Sequence, residues 1–376
     1  MKTVIESLNL NNYEKVNPQE LLIYGSTEVF NGRNNDFFYK IEERYNGSPT
    51  LSAVIDSYTN YVMGNGLIAE EGITQEDLDR ILDEEDLREI IFQYKLQGNA
   101  PLFIDYAKSG SGKVAGIYGE AARKVAIHTP ESGDITDDVD KYIYCFDFQR
   151  GIFPKKIIPA FGYGNGQEKE IYLLKRKSNQ DIYSLPDWFS CMQYAQVEEE
   201  VSNFQLNYIK NNFSAGRVIN IYQGEILDVE SEREQQLTIK RKLTGSINAG
   251  DPVVAFNKSP EEKVEIDTIE IQDAYRQFEY LAEEAQHKIF LANKVTSPSL
   301  FGEQSTTGFA SNAEEMEQAL NLLYRNQINP IRNTIIKALE TILGEGVRLK
   351  FDDFEDLKKE DENIESEKED ENNIEE

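Results

Sequence analysis

Histidine, cysteine and tryptophan are scarce in this chain of 376 residues, which contains two, two and one of them. The cysteines, Cys145 and Cys191, are far apart and form no CxxC pair, so the sequence indicates neither a disulfide framework nor a zinc site. A Ser–His–Asp or Cys–His site requires a histidine, and the environments of His128 and His287 are typical of solvated or locally bonded imidazoles. We therefore expect no catalytic residue, no metal ligand and no cofactor.

Long apolar runs are also absent. No stretch of about 18 apolar residues occurs, which a membrane-spanning helix would require. The first residues include Glu6 at a position where a secretion signal has its apolar segment. We therefore expect an intracellular structural subunit that neither associates with a membrane nor leaves the cell by a classical signal.

Positive charge is scarce as well, because 39 basic residues stand against 68 acidic ones and the net charge is −29. Fourteen acidic and three basic residues lie from Asp352 to Glu376, and this composition predicts a disordered tail. The rest of the chain carries about −18, which argues against tight DNA binding through basic faces. Nucleic acid can pass such a surface without adhering to it, although the charge can also serve solubility alone.

Two local patterns suggest chemistry but lack essential parts. Residues 109–113 read Ser-Gly-Ser-Gly-Lys, yet a phosphate-binding loop needs glycine in place of Ala107 and Ser or Thr in place of Val114, so we predict a hairpin turn. Four acidic residues follow without the spacing of a calcium loop: Asp134, Asp137, Asp138 and Asp140. We interpret them as an acidic surface loop, and a hydrolytic carboxylate pair elsewhere stays open as an alternative.

Periodicity predicts a mixed α+β module over the first 185 residues. Apolar residues from Leu51 to Val62 predict a helix that ends at Gly64-Asn65-Gly66, and a second helix is predicted for residues 75–97. Residues 102–106 and 114–117 predict a β-hairpin. Three further runs have the composition of strands: residues 142–148, 152–158 and 171–175.

The pattern changes after Leu185-Pro186-Asp187. An apolar face from Trp188 to Tyr208 predicts a helix that ends near residues 211–212. A compact insert of residues 214–269 follows, with predicted strands at 218–221 and 252–256 and a charged helix at 230–243 between them. Residues 274–292 then predict a long helix with a narrow stripe of small apolar residues, as expected for a helix packed beside similar helices.

A polar loop of residues 295–311 separates this helix from the next one. The loop ends in the capping box Ser311-Asn312-Ala313-Glu314, which predicts that a helix begins there. The apolar pattern of that helix continues through Pro330, which lacks a backbone donor and clashes with the carbonyl four residues earlier, so we predict a kink near Asn326. Residues 344–346 are expected to end the helix before a last strand at 347–351.

Taken in this order, several short motifs resemble the portal proteins of tailed bacteriophages over residues 45 to 343. The motifs are Ser48-Pro49-Thr50-Leu51 with Gly64-Asn65-Gly66-Leu67, Leu96-Gln97-Gly98-Asn99-Ala100-Pro101, Leu185-Pro186-Asp187-Trp188, Asn248-Ala249-Gly250-Asp251-Pro252, Ile289-Phe290-Leu291-Ala292 through Ser297-Pro298-Ser299-Leu300-Phe301-Gly302, Ser311-Asn312-Ala313-Glu314, and Asn326-Gln327-Ile328-Asn329-Pro330. The stretch that ends at Gly302 is the most telling of them.

The resemblance implies an α+β, portal-like subunit with an α/β wing, a two-helix stem, a small α/β clip, a kinked C-terminal helix and a disordered acidic tail. Its implied parts are the wing (residues 1–185), a stem helix (186–213), the clip (214–269), a second stem helix (270–295), a tunnel loop (296–311), a kinked wing helix (312–346) and a reduced crown or acidic tail (347–376). Members of the family often end in a helical crown, from which this short acidic end departs.

The resemblance also implies a function. Portal subunits form a ring, typically of twelve, at one vertex of the capsid, where the ring is the channel for DNA packaging and ejection and the attachment point for the tail. The implied partners are further copies of the chain, the major capsid protein, the terminase large subunit, the head-tail adaptor and double-stranded DNA that passes without specific binding. The implied location is the virion, and the host cytoplasm during assembly.

The resemblance implies a DNA-facing role for seven residues of the tunnel loop: Glu303, Gln304, Ser305, Thr306, Thr307, Gly308 and Phe309. Residues 295–302 would act as the hinge that positions them. An ordinary solvent loop is the alternative for this segment. For the whole chain, another phage assembly protein such as an adaptor or scaffold, or a hydrolase that uses the acidic clusters, stays open.

Overall fold

The computed structural model describes residues 22–24, 27–107, 112–129, 139–166, 168–177, 182–210, 218–222, 253–257, 274–303 and 313–353. Eight α-helices lie within these ranges: α1 (Asp36–Gly47), α2 (Pro49–Met63), α3 (Gln75–Ile81), α4 (Glu84–Gln97), α5 (Met192–Lys210), α6 (Ala274–Ala292), α7 (Ala313–Leu323) and α8 (Asn329–Leu343). The described strands are β1 (Leu22–Tyr24), β2 (Glu28–Asn31), β3 (Leu67–Glu71), β4 (Asn99–Tyr106), β5 (Val114–Gly119), β6 (Val125–His128), β7 (Lys141–Tyr144), β8 (Lys156–Pro159), β9 (Glu170–Lys175), β10 (Val218–Tyr222), β11 (Val253–Asn257) and β12 (Arg348–Phe351).

The chain forms two compact units. The smaller unit comprises residues 1–17 and 193–288, and the larger unit comprises residues 18–192 and 289–376. The mixture of helices and sheets confirms the α+β class. The finer division into wing, stem, clip and crown stays a prediction.

Helix α2 ends where the sequence predicts, and a cap three residues before the first predicted apolar position sets its start. The side chain of Ser48 accepts a hydrogen bond of 3.1 Å from the backbone N–H of Leu51, and Pro49 occupies the first helical position. Gly64 ends the helix at a φ of 53°, and a Cβ there would lie 2.3 Å from the carbonyl oxygen of Asp352. Only glycine fits this close approach, which explains the stop.

The single helix predicted for residues 75–97 is wrong, because two helices occupy this segment. Asp83 has an extended backbone, and its carboxylate accepts a hydrogen bond of 2.8 Å from the N–H of Asp86, which starts α4. Leu82 and Leu87, on either side of the break, enter the same core. The apolar spacing therefore continues across the break and does not reveal it.

Three sheets belong to the larger unit. The predicted hairpin is confirmed as the antiparallel pair β4–β5, and β9 completes a three-stranded sheet on the other side of β4. A five-stranded sheet has the order β1-β2-β6-β7-β8, and β12 pairs antiparallel with β3. The strand pairs of the five-stranded sheet are all antiparallel.

The strands predicted at residues 142–148 and 152–158 are shorter than expected. The first ends at Tyr144 and the second begins at Lys156, and between them Phe148 and Phe153 pack back onto the sheet instead of extending it. Phe148 packs edge-on against Phe30 with ring centroids 5.4 Å apart, and Phe153 packs against the same small cluster. Phe148 and Phe153 thus pack onto the five-stranded sheet and do not lengthen its strands.

The main core of the larger unit joins segments that are far apart in the sequence. Val54 of α2, Ile90 of α4 and Leu102 of β4 are buried together with Ile335 and Leu339 of α8. Each of these five side chains is fully buried. The N-terminal α+β module and the C-terminal helices are therefore one folded body.

The C-terminal helical segment changes register where the sequence predicts a kink. Between α7 and α8, residues Tyr324–Ile328 form a π-helical turn. Pro330 cannot donate a hydrogen bond to the carbonyl of Asn326, and the wider turn accommodates this missing bond. The last predicted strand is confirmed as β12, so residues 348–351 of the segment implied to be a crown or tail pair with β3 in the larger unit.

In the smaller unit, α5 and α6 pack through stacked rings of Phe204 and Phe278, whose centroids are 4.4 Å apart. Strands β10 and β11 confirm the two predicted strands of the insert and pair in parallel. The helix predicted for residues 230–243 lies outside the described residues. None of the described helices combines the length and the apolar character needed to cross a bilayer.

Candidate functional site: the base of the loop after Gly302

The structure describes one of the seven residues for which a DNA-facing role is implied. Glu303 is half-buried, and its backbone N–H donates a hydrogen bond of 3.3 Å to the carbonyl oxygen of Pro298. The other six, Gln304, Ser305, Thr306, Thr307, Gly308 and Phe309, lie outside the described residues. What can be built from contacts is the loop base, which we define as residues 293–303 before the loop and residues 313–324 after it.

The loop base begins with a specific helix end. The N–H of Val295 donates to the carbonyl of Phe290, and the N–H of Lys294 donates to that of Leu291, both at 3.0 Å. This double pattern is the Schellman motif, which requires a left-handed residue, and Lys294 occupies that position with a φ of 58°. Phe290 and Val295 both pack against the main core, which supplies the apolar contact of the motif. Helix α6 is thus stopped firmly, at a residue that is not glycine.

A short 3₁₀ turn, Pro298–Phe301, carries the chain onward to Gly302, whose φ of 89° ends it. The turn inserts Phe301 into the main core, where it is 8% exposed. The ring of Phe301 lies 5.3 Å from that of Tyr58 and 6.0 Å from that of Tyr61, measured between centroids. Tilted and edge-on aromatic pairs of this kind favour a defined orientation, so the turn is held in one position against α2.

Two tyrosine hydroxyls fasten this segment to α2. The hydroxyl of Tyr58 donates to the carbonyl oxygen of Asn293, and that of Tyr61 donates to the carbonyl oxygen of Leu300, both at 2.7 Å. The tyrosines are three residues apart on one helix and therefore share a face. Burial raises the pKa of both hydroxyls, so both remain neutral donors at physiological pH.

The residues after the loop contact both the segment before it and helix α2. Thr296 donates from its hydroxyl to the carbonyl of Ala319 in α7 at 2.9 Å. The ring of Tyr324, at the start of the π-helical turn, lies edge-on to Tyr61 at 6.3 Å. Tyr324 is buried, its hydroxyl has no hydrogen-bond partner among the described residues, and burial raises its pKa to about 12.

A buried cation supports the end of α2. The guanidinium of Arg332 donates to the carbonyls of Val62 and Tyr61 at 2.9 and 3.0 Å and forms an ion pair with Asp353. Its planar group also lies 5.4 Å from the ring of Tyr324. A guanidinium has enough donors to satisfy three acceptors at once, so α2, the π-helical turn and the residues after β12 meet at one side chain.

The arrangement at the loop base holds backbone in place and does not resemble a reaction centre. The contacts that hold it are made by the hydroxyls of Tyr58, Tyr61 and Thr296 to main-chain carbonyls, with the paired cation Arg332 beside them. Over the described ranges, no group of three or more His, Cys, Asp and Glu side chains is placed to hold a metal ion. The loop base can therefore position the residues after Gly302, and we find no chemistry in it beyond this.

The remaining candidates from the sequence are scattered over the fold. His128 is half-buried at the end of β6, and His287 is exposed on α6. Cys145 and Cys191 are both buried free thiols, and burial raises the pKa of Cys191 to about 12, which makes it unreactive. Asp134, Asp137 and Asp138 lie outside the described residues, whereas Asp140 forms an ion pair of 3.2 Å with Lys141.

The tyrosine anchors were not predicted as such. Tyr58 and Tyr61 were recognised only as members of the apolar stripe of α2. Their three-residue spacing was the available signal, because two hydroxyls on a buried face require acceptors. Which carbonyls accept them depends on a segment more than 230 residues away, which the local sequence does not reveal.

No known family model matches this sequence, and no curated protein matches it. Solved structures do match. A chain described as "Virion of native gene transfer agent (GTA) particle" superimposes with a TM-score of 0.56 at 18% identity, covering 88% of this chain and 86% of that chain. A chain of the "Neck of empty GTA particle computed with C6 symmetry" gives 0.55 at 17% identity, over 87% and 86%.

A chain of the "Neck of native GTA particle computed with C12 symmetry" gives a TM-score of 0.55 at 18% identity, over 89% of this chain and 86% of that chain. TM-scores above 0.5 over most of both chains establish a likeness of fold, and at this level of identity they establish the fold alone. The chain therefore shares its fold with chains from the virion and neck of gene transfer agent particles, in agreement with the connector-type resemblance of its sequence motifs.

Proposed function

We propose that this chain is the portal protein of a phage-like particle. It forms a ring at one vertex of the capsid, and we expect this ring to have twelve subunits. The ring is the channel for DNA packaging and ejection and the attachment point for the tail. The observation that carries the proposal is the fold likeness, over nearly nine-tenths of the chain, to chains of a particle neck computed with C12 and C6 symmetry.

The order of the helices and strands along the chain also supports the portal proposal. An α+β body leads into α5, a small insert with a parallel strand pair follows, and α6 leads back into the 3₁₀ turn and the helices α7 and α8. The implied stem, clip and tunnel loop occupy corresponding positions in this order. The division of the chain after Met192 and before Ile289 is compatible with it.

The charge of the chain supports a passive channel. Subunits with a net charge of −29 arranged in a ring repel the phosphates of DNA on all sides. Gln304 to Thr307 are short, neutral and polar in sequence, and the described residue just before them, Glu303, belongs to the loop base. We propose Glu303 to Phe309 as the constriction that faces DNA.

Electron microscopy of the purified protein tests the proposal most directly. A closed ring with a central channel is expected, with a mass that fits an integral number of 43.1 kDa subunits. A strictly monomeric protein at micromolar concentration under several salt conditions would contradict it. DNA should show no retention by the ring in a gel-shift assay at low salt, where attraction to basic faces is strongest.

An adaptor is the second candidate, because a neck location fits a connector between head and tail as well as a portal. The two differ in position and in partner. A portal occupies the capsid vertex and binds the terminase, whereas an adaptor lies below the portal. A labelled copy of the chain, located in images of intact particles, distinguishes them.

The loop has its own test. Replacing Gln304–Thr307 by a Gly-Ser-Gly-Ser segment keeps the chain length, and deleting the same four residues shortens it. Both variants should form rings, and the deletion should impair DNA packaging or retention more than the replacement. Loss of ring formation in both would mean that the loop has a structural role instead.

A further inference from the structure

Lys95 and Asp187 form the most buried ion pair among the described residues. Their side chains are 3% and 10% exposed, and the Lys95 ammonium donates to both carboxylate oxygens of Asp187, at 3.0 and 2.9 Å. Burial lowers the pKa of Lys95, and the charge of Asp187 opposes that effect. A buried pair of this kind adds little net stability compared with apolar residues of similar size, because both charges lose their hydration.

The position of the pair is informative. Asp187 lies a few residues before Met192, after which the chain passes into the smaller unit. The segment that follows it is pinned to the last turn of α4, since the indole N–H of Trp188 donates to the carbonyl of Leu96 at 3.2 Å. Lys95 therefore binds the outgoing connection.

The same ammonium also contacts the residue that holds the returning connection. Its Nζ lies 4.0 Å from the centre of the Tyr58 ring, within range of a cation–π interaction. The hydroxyl of Tyr58 donates to the carbonyl of Asn293, just after the chain returns to the larger unit at Ile289. Asn293 in turn donates from its side-chain amide to the carbonyl of Ile289 at 3.0 Å.

We propose that Lys95 is a latch that couples the two connections, so that the position of the segment before α5 influences the segment that leaves α6 and starts the loop base. The coupling runs from Asp187 through the Lys95 ammonium and the Tyr58 ring to Asn293. It lies entirely in the larger unit and does not depend on ring formation or on the proposed function.

The chain carries its own probe for one end of the latch. Trp188 is the single tryptophan and is fully buried, so its fluorescence reports the outgoing connection. Hydrogen exchange of the amides from Asn293 to Gly302 reports the returning one, because several of them donate to carbonyls of the Schellman motif and the 3₁₀ turn.

The decisive variant is Asp187→Asn, which removes the charge and keeps the size. We expect the Trp188 emission to change and the amides of residues 293–302 to exchange about tenfold faster. The matched control is Glu284→Gln, which removes an acid from the half-buried pair with Lys288 on α6, at 3.3 Å and far from Lys95 and Asp187 in sequence, and should leave both signals unchanged. Tyr58→Phe should accelerate exchange at residues 293–295 and leave the Trp188 emission as in the wild type.

The double variant Lys95→Met with Asp187→Leu covers the case in which Asp187→Asn does not fold, because it replaces the buried charges by apolar groups. It should fold and still show the faster exchange at residues 293–302, since the link to the Tyr58 ring is lost. The proposal is overturned if exchange of residues 293–302 stays at the wild-type rate in Asp187→Asn, or in the double variant where only that one folds, whether or not the Trp188 emission changes.

Discussion

The hydroxyl of Tyr61 donates a hydrogen bond of 2.7 Å to the carbonyl oxygen of Leu300, a residue 239 positions later in the chain. The backbone carbonyl of the same tyrosine accepts a hydrogen bond from Arg332, and its ring packs against Tyr324. One residue of α2 thus contacts the segments on both sides of the loop. Local changes around Tyr61 should therefore alter the loop base without unfolding the sheets.

The bond between Tyr61 and Leu300 can be removed by Tyr61→Phe, which keeps the ring beside Phe301. We expect a loss of about 1 kcal/mol in the free energy of unfolding, because the carbonyl of Leu300, in a half-buried position, loses its donor. Faster hydrogen exchange at Phe301 and Gly302 should accompany it. The control is Tyr45→Phe, which removes an exposed bond of the same length to Asp56 and should change stability by less than about 0.5 kcal/mol. Equal losses of stability in the two variants would show that the bond of Tyr61 to Leu300 stabilises the protein no more than an exposed tyrosine bond does.

Lys294 holds a left-handed backbone conformation that glycine adopts without steric strain. Lys294→Gly should therefore stabilise the protein by about 1 kcal/mol in denaturant unfolding, since the Schellman motif keeps both its hydrogen bonds. Lys288→Gly, in the interior of the same helix, should destabilise it by about 1 kcal/mol. If both glycines destabilise to the same extent, the lysine at position 294 makes contacts that offset its backbone strain.

Arg332 supplies hydrogen bonds that no apolar residue can replace. Arg332→Met leaves the carbonyls of Tyr61 and Val62 without this donor and Asp353 without its cation, so we expect a loss of about 3 kcal/mol in the free energy of unfolding. Arg348→Met is the matched control, because that arginine is 61% exposed and its ion pair with Glu340 spans 3.4 Å. The control should change stability by less than about 0.5 kcal/mol. Similar losses for both arginines would contradict the role assigned to Arg332.

Tyr324 predicts a pH-dependent effect. Burial raises its pKa from 10.0 to about 12, so above pH 10 the unfolded chain loses this proton while the folded chain retains it. The part of the free energy of unfolding that depends on this proton is fully present below pH 10 and is lost as the pH rises toward 12. Tyr324→Phe should stabilise the protein by about 1 kcal/mol at neutral pH, because it removes a buried hydroxyl that has no partner among the described residues, and by more between pH 10 and 12.

The measurement for Tyr324 is denaturant unfolding at neutral and alkaline pH. Tyr163→Phe is the control, since that side chain is 54% exposed, and it should follow the wild type at both pH values. Destabilisation by Tyr324→Phe at neutral pH would mean that the hydroxyl has a hydrogen-bond partner in the folded protein.

Helix ends marked by specific capping residues were predictable. Ser48, Gly64 and the residues after Leu343 act through hydrogen bonds and backbone angles within one turn, so their signals are local. The break between α3 and α4 was missed although Asp83 is also a cap, because the surrounding apolar spacing is that of one helix. The strands β1, β2, β3 and β6 and the helix α1 were not predicted, and the strands near residues 142–158 were predicted too long.

The features of the candidate site also divide into those that local sequence signals predicted and those that they did not. The loop, its helical flanks and the register change before Pro330 were predicted, since a capping box and a proline act over a few residues. The anchors Tyr58 and Tyr61, the cation Arg332 and the pair of Lys95 with Asp187 were not. Each joins residues separated by 92 to 271 positions.

By itself, the sequence determined the α+β class, the acidic character, most helix limits and the location of the loop, because propensity, capping and charge are properties of residues and their near neighbours. Only the tertiary structure decided which carbonyls the α2 tyrosines bind, which buried cation has which partners, and that β12 pairs with β3. The physical reason is that a buried donor or charge must find a partner inside the core, and packing alone decides which distant segment supplies it.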